Sequence, residues 1–242
     1  MPSMEEIYQG HSDRYDELVT REDREHHLAT ALSALCSWDG AAVIESGIGT
    51  GRVTKLYIES VKSVLGFDRS QHMLDQAARN LQEWNEKISL KTAEHRALPV
   101  ADGTADRFIE GWAFGHAIVD AGERSSDVRN ATDALVAETE RVCRSGGSIT
   151  IIETLGTNVE EPTPPRETFA EFYDRLETHH GFARVVVSTD YWFSSAEEAI
   201  RVCGYFFGDG MAEALERRFE AVPPAAEGAI VPEYSGIWHR TR

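Results

Sequence analysis

Three glycines at alternate positions, Gly47, Gly49 and Gly51, follow an acid, Glu45, and a run of small and β-branched residues, Ala41 to Ile44. Such a run fits a short buried parallel strand. The glycines after it fit a tight turn ahead of a helix beginning near Arg52. Glycine lets a backbone come close to a ligand, because a Cβ would block the approach. In an open α/β sheet, ligands bind at such a strand-to-helix turn. A dinucleotide fingerprint wants glycines at the first, third and sixth positions. Counted from Gly47, the sixth position is Arg52, which disfavours a pyrophosphate cradle. Asp68 ends the next strand, Val61 to Phe67 (VKSVLGF). It falls roughly twenty residues past the turn, where an acid can take ribose hydroxyls. Two acceptor oxygens suit a vicinal diol.

The elements that position these residues alternate along the chain. Met1 to Ser37 reads as amphipathic helix, with Tyr15, Leu18, Leu28, Leu32 and Leu35 among charges. After the glycine turn come a short helix, Val53 to Ser60, and the strand that ends at Asp68. A helix from Met73 to Asn85 follows, with Ser70 as its cap. Ile88 to Thr92 is a third strand and Arg107 to Glu110 a fourth, from which Gly111, Trp112 and Phe114 leave. Asp127 to Cys143 is helical, and Ser148 to Glu153 (SITIIE) is a fifth strand after the Gly146-Gly147 turn. Beyond Leu155, an extended EEPTPP connection leads to a helix over Arg166 to His180 and a strand over Ala183 to Thr189. Helices follow over Ala196 to Tyr205, capped by Ser194 with Glu197 at capping-box spacing, and over Met211 to Phe219. Tyr234 to Arg240 is the last strand.

Composition narrows the partners. The 242 residues carry 24 Lys+Arg against 41 Asp+Glu, a net charge of -17. So acidic a surface repels nucleic acid and anionic membrane. No apolar run is long enough to span a bilayer, and the polar, acidic start is unlike a signal peptide. These features point to the cytoplasm. Cys36, Cys143 and Cys203 are odd in number and form no CxxC, so neither a disulfide framework nor a metal site is indicated. His26 and His27 are adjacent and cannot share a helix face.

With Glu45 ahead of it, the glycine stretch AAVIESGIGTGRVT resembles motif I of class I S-adenosylmethionine-dependent methyltransferases of the small-molecule kind. GFDRSQHMLDQAARN is similar to motif II and its helix. ALPVADGTADRFIEGWAFGH is similar to the segment leading into strand four, and RVCRSGGSITIIE to the turn and strand five. The resemblance covers about Val43 to Glu153. It implies an α/β fold: a Rossmann-like three-layer α/β/α sandwich, its seven-stranded sheet mostly parallel with an antiparallel last strand, plus a helical cap. One domain is implied over 1-242, with an N-terminal cap at 1-38, a cofactor core at 39-155, a cap with the sixth strand at 156-223 and the last strand at 224-242.

The same resemblance implies the cofactor, S-adenosylmethionine, with S-adenosylhomocysteine as product, and a set of contacts. Glu45 would face the ligand's cationic amino-acid end, beside Gly47, Gly49 and Gly51. Asp68 would take the ribose, with Arg69 and Met73 near the adenine. Ala93 and Glu94 would hold that ring through a backbone N–H and a carboxylate. Tyr15 lies in a "YD" element of the N-terminal helix that closes over the cofactor. Gly111 and Trp112 leave strand four at the same crevice, and Trp112 and Phe114 would wall the transferred methyl. His116 is the histidine placed nearest that methyl, and an imidazole suits a base at neutral pH. His95 reads as a loop residue, and Asp106 as a residue that orients the strand edge. The implied partner is a small-molecule acceptor, with no nucleic acid, no membrane and no metal, and the chain a monomer or homodimer. A non-catalytic binder of the cofactor and an NAD(P)-dependent oxidoreductase are the rival readings.

Overall fold

The computed structural model describes residues 12–226 and 228–242. Residues 1–11, expected to begin the N-terminal helix and to differ from a signal peptide, lie outside the described residues. From residue 12 the expected continuous helix is two: α1 (Ser12–Val19) and α2 (His27–Leu35). Asp23 and His26 take left-handed φ angles of 56° and 59° between them. The Asp23 carboxylate accepts the N–H groups of His27 and Leu28 at 2.8 and 2.9 Å. Two otherwise orphaned donors of the second helix are thereby satisfied, which rewards the break.

The sheet contains β1 (Ala42–Ser46), β2 (Ser63–Asp68), β3 (Ile88–Thr92), β4 (Ala105–Gly111), β5 (Cys143–Thr157), β6 (Ala183–Ser188) and β9 (Glu233–Thr241). Their spatial order is β3-β2-β1-β4-β5-β9-β6. β9 runs antiparallel to both β5 and β6, while β1 to β5 pair in parallel. This is the expected mostly parallel seven-stranded sheet with an antiparallel last strand. Strand order reverses between β1 and β4, so the crevice opens at their C-terminal ends. Asp106 accepts the Ala42 N–H at 2.7 Å and so ties the start of β1 to β4, as expected.

Helices α3 (Gln71–Asn80), α4 (Phe114–Ala121), α5 (Ser125–Val142) and α6 (Glu167–Thr178) flank the sheet. On one face Ile44, Phe108, Ile149 and Ile151 meet Phe114, Ile118, Leu135 and Phe172. On the other, Val43, Val64, Ile109 and Ile152 meet Leu28, Leu32, Trp38, Tyr57 and Ile58. Both faces of the central strands are therefore covered, which suits their nearly continuous apolar sequences. Helices α7 (Ala196–Phe207) and α8 (Asp209–Ala221) form a separate cluster with α1 and a small ribbon of β7 (Tyr191–Phe193) and β8 (Ala229–Val231). That ribbon has no counterpart in the sequence expectations. The cap of α7 is Ser195, not Ser194: its side chain accepts from Glu198 N, and the Glu198 carboxylate returns to Ser194. No described helix is long and apolar enough to cross a membrane.

The segment after the glycine turn departs from the expected helix. It forms a single 3-10 turn, Thr54–Leu56, whose Thr54 hydroxyl, with that of Tyr57, donates to Oε2 of Glu45. The Glu45 side chain is buried, and burial pushes its pKa from 4.5 to about 7. Since the folded state holds this proton more tightly, the group's contribution to stability is intact below about pH 4.5 and declines as pH rises through about 7. Glu45→Gln keeps an oxygen for both hydroxyls and abolishes that titration. Compared with the wild type, the variant should gain on the order of 2–3 kcal/mol between acidic and mildly alkaline buffer. Denaturant unfolding across that range checks the difference.

Candidate functional site

The glycine turn is fastened to the end of β2. The N–H groups of Gly47 and Ile48 both donate to the Phe67 carbonyl, at 2.7 and 2.9 Å, and Gly51 N–H donates to Ile48 O at 2.9 Å. Gly49 N–H donates to Oδ2 of Asp68 at 2.9 Å, and Ser70 N–H to Oδ1 at 2.8 Å. Each glycine has its own reason. Gly47, Gly49 and Gly51 all have positive φ, at 76°, 56° and 85°. A Cβ on Gly47 would lie 2.3 Å from Ala113 Cβ and 3.1 Å from His95 Cε1, whereas one on Gly49 meets only Met73 Cε at 3.6 Å. On Gly51 it would strike Leu81 at 2.5 Å.

Against this turn lies a cavity of about 390 Å³. Ten of the sequence-derived candidates line it: Tyr15, Gly47, Gly49, Asp68, Arg69, Met73, Glu94, Gly111, Trp112 and His116. They come from α1, the turn, the end of β2 and the start of α3, the loop after β3, the end of β4 and the first turn of α4. Asp68 sits at its floor. Burial raises the Asp68 pKa, opposed by the backbone N–H groups it accepts and by Arg69. Gly49 and Ser70 donate to separate oxygens, the Arg69 backbone adds a further hydrogen bond, and a carboxylate offers about four acceptor sites in all.

Four candidates are elsewhere. Glu45 shares the face of β1 with Val43, turned to the layer containing Tyr57, so it does not line the cavity. The expectation that it faces a ligand is corrected by the two-residue period of a strand. Gly51 serves the packing of Leu81. Ala93 is outside the lining, and its N–H is taken by the Asp68 carbonyl at 3.1 Å. Phe114 is fully buried in the core, so only Trp112 of the expected aromatic wall faces the cavity.

The structure adds residues to the site. His95, read as a plain loop residue, lines the cavity, and its Nδ1 lies 2.8 Å from Ser46 Oγ. Burial, then the neighbouring Arg69, His116 and Arg96, lower its pKa to about 4, so the ring is neutral near pH 7. Arg96 also lines the cavity and donates to the Ala117 carbonyl of α4 at 3.2 Å, while Asp120 pairs with Arg69 at 3.3 Å. His116 stands on the first turn of α4, its pKa lowered by burial and then by Arg69. Trp112 has φ of 54°, a strained value for a bulky residue. The Arg52 guanidinium lies over its ring, 3.7 Å from the centroid, and is ion-paired with the buried Glu22. The placement of His95 directly after Glu94 was the available signal for it; Arg52 and Asp120 meet the site only through folding.

A family profile described as a methyltransferase domain matches residues 44–151. Phosphatidylethanolamine N-methyltransferase of Cereibacter sphaeroides is 30% identical over 153 residues, which span 62% of this chain and 69% of that protein. An uncharacterized methyltransferase of Geobacillus sp. (strain WCH70) is 28% identical over 115 residues, 46% of this chain and 53% of that protein. This chain thus spans about half the length of that relative. Among solved structures, the geranyl diphosphate C-methyltransferase of Streptomyces coelicolor, crystallised with Mg2+, geranyl diphosphate and S-adenosyl-L-homocysteine, shares the fold. Its TM-score is 0.53 at 14% identity, over 90% of this chain and 77% of that one.

The glycines separate by substitution. Gly47→Ala should cost about 2–4 kcal/mol through strain and overpacking. Gly49→Ala should cost about 1–2 kcal/mol through its backbone angle alone. Urea midpoints of the two variants give the order directly.

Proposed function

This chain belongs to the class I S-adenosylmethionine-dependent methyltransferases, with S-adenosylmethionine as cofactor, and we propose that it methylates a small-molecule acceptor by in-line displacement. The cofactor supplies an electrophilic methyl on a sulfonium, which an acceptor lone pair attacks from the side opposite sulfur. The observation that carries the reading is Asp68: buried, lining the cavity, and held by the backbone N–H groups of Gly49 and Ser70 on separate oxygens, so that its carboxylate can still accept from the hydroxyls of a ribose. Met73 offers the adenine an apolar contact and Glu94 a carboxylate for its amine. Tyr15 closes the cavity from α1. The ionic side chains of the wall are Asp68, Glu94 and Asp120 against Arg69 and Arg96. One net negative charge, with His95 held neutral, suits a cationic ligand.

The protein's part in the transfer is alignment, which can lower a barrier by several kcal/mol. Positive charge at sulfur is lost during transfer, so an ion pair there would stabilise the ground state more than the transition state. Trp112, an aromatic side chain at the crevice, fits that requirement. His116, kept neutral by its surroundings, is the candidate base for an acceptor that must lose a proton.

Two rivals are weaker. The N–H groups at 47, 48, 49 and 51 are already engaged, leaving the turn poorly furnished for a dinucleotide's pyrophosphate. A second cavity beside the first fits an enzyme with two substrates better than a protein that only holds the cofactor. Calorimetry should show binding of S-adenosylhomocysteine and none of NADH. Asp68→Ala should weaken S-adenosylhomocysteine about 30-fold or more, because hydrogen bonds to a charged group are lost. An unchanged affinity would remove the basis of this reading. Labelled-methyl transfer to an acceptor panel separates enzyme from holder.

A further inference from the structure

A second cavity, of about 720 Å³, lies on the far side of a thin wall from the first. Neighbouring residues face the two spaces: Tyr15 and Gly49 the first, Asp16 and Thr50 the second. Arg52 lines the second and lies over Trp112, which lines the first. Trp192 and Phe193 of β7 also line the second cavity. The Arg52 and Trp112 side chains meet between it and the proposed cofactor site, so an acceptor held here reaches the methyl once the Arg52 side chain swings off the Trp112 ring.

Its charge runs against that of the molecule. The net charge of the chain is -17, yet Arg21, Arg24, Arg52 and Lys55 line this cavity against Asp16, Glu22 and Asp23. The three acids are already engaged. Asp23 accepts from two backbone N–H groups, Glu22 is paired with Arg52, and Asp16 accepts from Gln76 and Asn80 at 3.2 and 2.9 Å. Arg21 is paired with Glu198 at 2.6 Å. Arg24 and Lys55 have no carboxylate partner among the described residues; Arg24 lies over the Trp192 ring at 4.8 Å. The buried hydroxyl of Thr50 likewise has no hydrogen-bond partner among the described residues. Two unmatched cations and an unmatched hydroxyl thus border one space with an aromatic end.

We propose that this cavity binds the methyl acceptor, and that the acceptor is a small molecule with an apolar body and an anionic group, carboxylate or phosphate. Arg24 and Lys55 take the anion, Trp192 and Phe193 the body, and the nucleophilic atom points toward Arg52 and Trp112. The inference rests on the methyltransferase reading above. In the transfer, the bond from the acceptor atom to the methyl carbon forms as the methyl–sulfur bond breaks. Sulfur keeps that bond's electron pair, and any proton on the acceptor atom passes to a base or to water.

Binding tests the assignment without the reaction. Benzoate, phenyl phosphate and the uncharged benzamide are titrated into the full chain by calorimetry, with and without S-adenosylhomocysteine. The anions should bind at least tenfold more tightly than benzamide, and added salt should weaken them. The Arg24→Gln/Lys55→Gln double variant, altered at two exposed side chains, should lose that preference while S-adenosylhomocysteine affinity stays within twofold. Which anion binds more tightly tells carboxylate from phosphate. Equal binding of benzamide, no binding of either anion, or an anion preference that survives the double substitution overturns the proposal. If S-adenosylhomocysteine binds and the anions do not, the acceptor assignment falls and the methyltransferase reading stands. If the wild type fails to bind S-adenosylhomocysteine, that reading falls first.

Discussion

The junction between the end of β2 and the glycine turn is the constraint on which the rest depends. Phe67 offers one carbonyl to two successive N–H groups, and Asp68 takes a third while also holding the start of α3 through Ser70. These bonds fix the turn in left-handed backbone that only glycine adopts without strain. Because the turn is fixed, the floor of the first cavity exists before any ligand arrives, and little ordering remains to oppose binding. The opposite wall is set less directly, by α4 and by the loop after β3, which Arg96 pins to it.

The wall between the two cavities is built differently. It relies on long side chains rather than on backbone: Arg52 reaches from the turn to Trp112 and is neutralised by Glu22 from the link between α1 and α2. Glu22 also bridges to Tyr191 of the β7–β8 ribbon. The turn, the N-terminal helices and the ribbon therefore meet at one ion pair with little exposure, where loss of one partner leaves an uncompensated charge. Side chains can part where backbone cannot, so under the proposed reading it is the wall, and not the floor, that would open for two ligands to touch.

Much of this was legible in the sequence, because the signals were local. The alternation of strands and helices, the glycines, Asp68 and the Gly146-Gly147 turn each declare themselves within a few residues, and the mostly parallel sheet with its antiparallel last strand followed. Signals that depend on facing went wrong. Glu45 lies beside the right glycines, but one step along a strand decides between two layers, and its side chain takes the one with Thr54 and Tyr57. Phe114 and Trp112 are two residues apart, yet one is core and the other cavity wall. His95 was passed over as loop although loops after strands build this crevice. Arg52–Glu22, Arg69–Asp120 and the ribbon join residues far apart in sequence, and no local pattern announces such pairs. The single long N-terminal helix failed because Asp23 offers the backbone an alternative that periodicity cannot register.

One consequence of the occupied N–H groups concerns competition. Adenosine is shared by the most abundant metabolites in any cell, and a pocket that recognised it alone would spend most of its time filled with ATP and its kin. A triphosphate tail laid against this turn would find its nearest donors already engaged, in a cavity whose three carboxylates outnumber its two arginines. Under the proposed reading the turn would sort nucleosides by what hangs from the sugar's far end, favouring a neutral or cationic substituent over an anionic one.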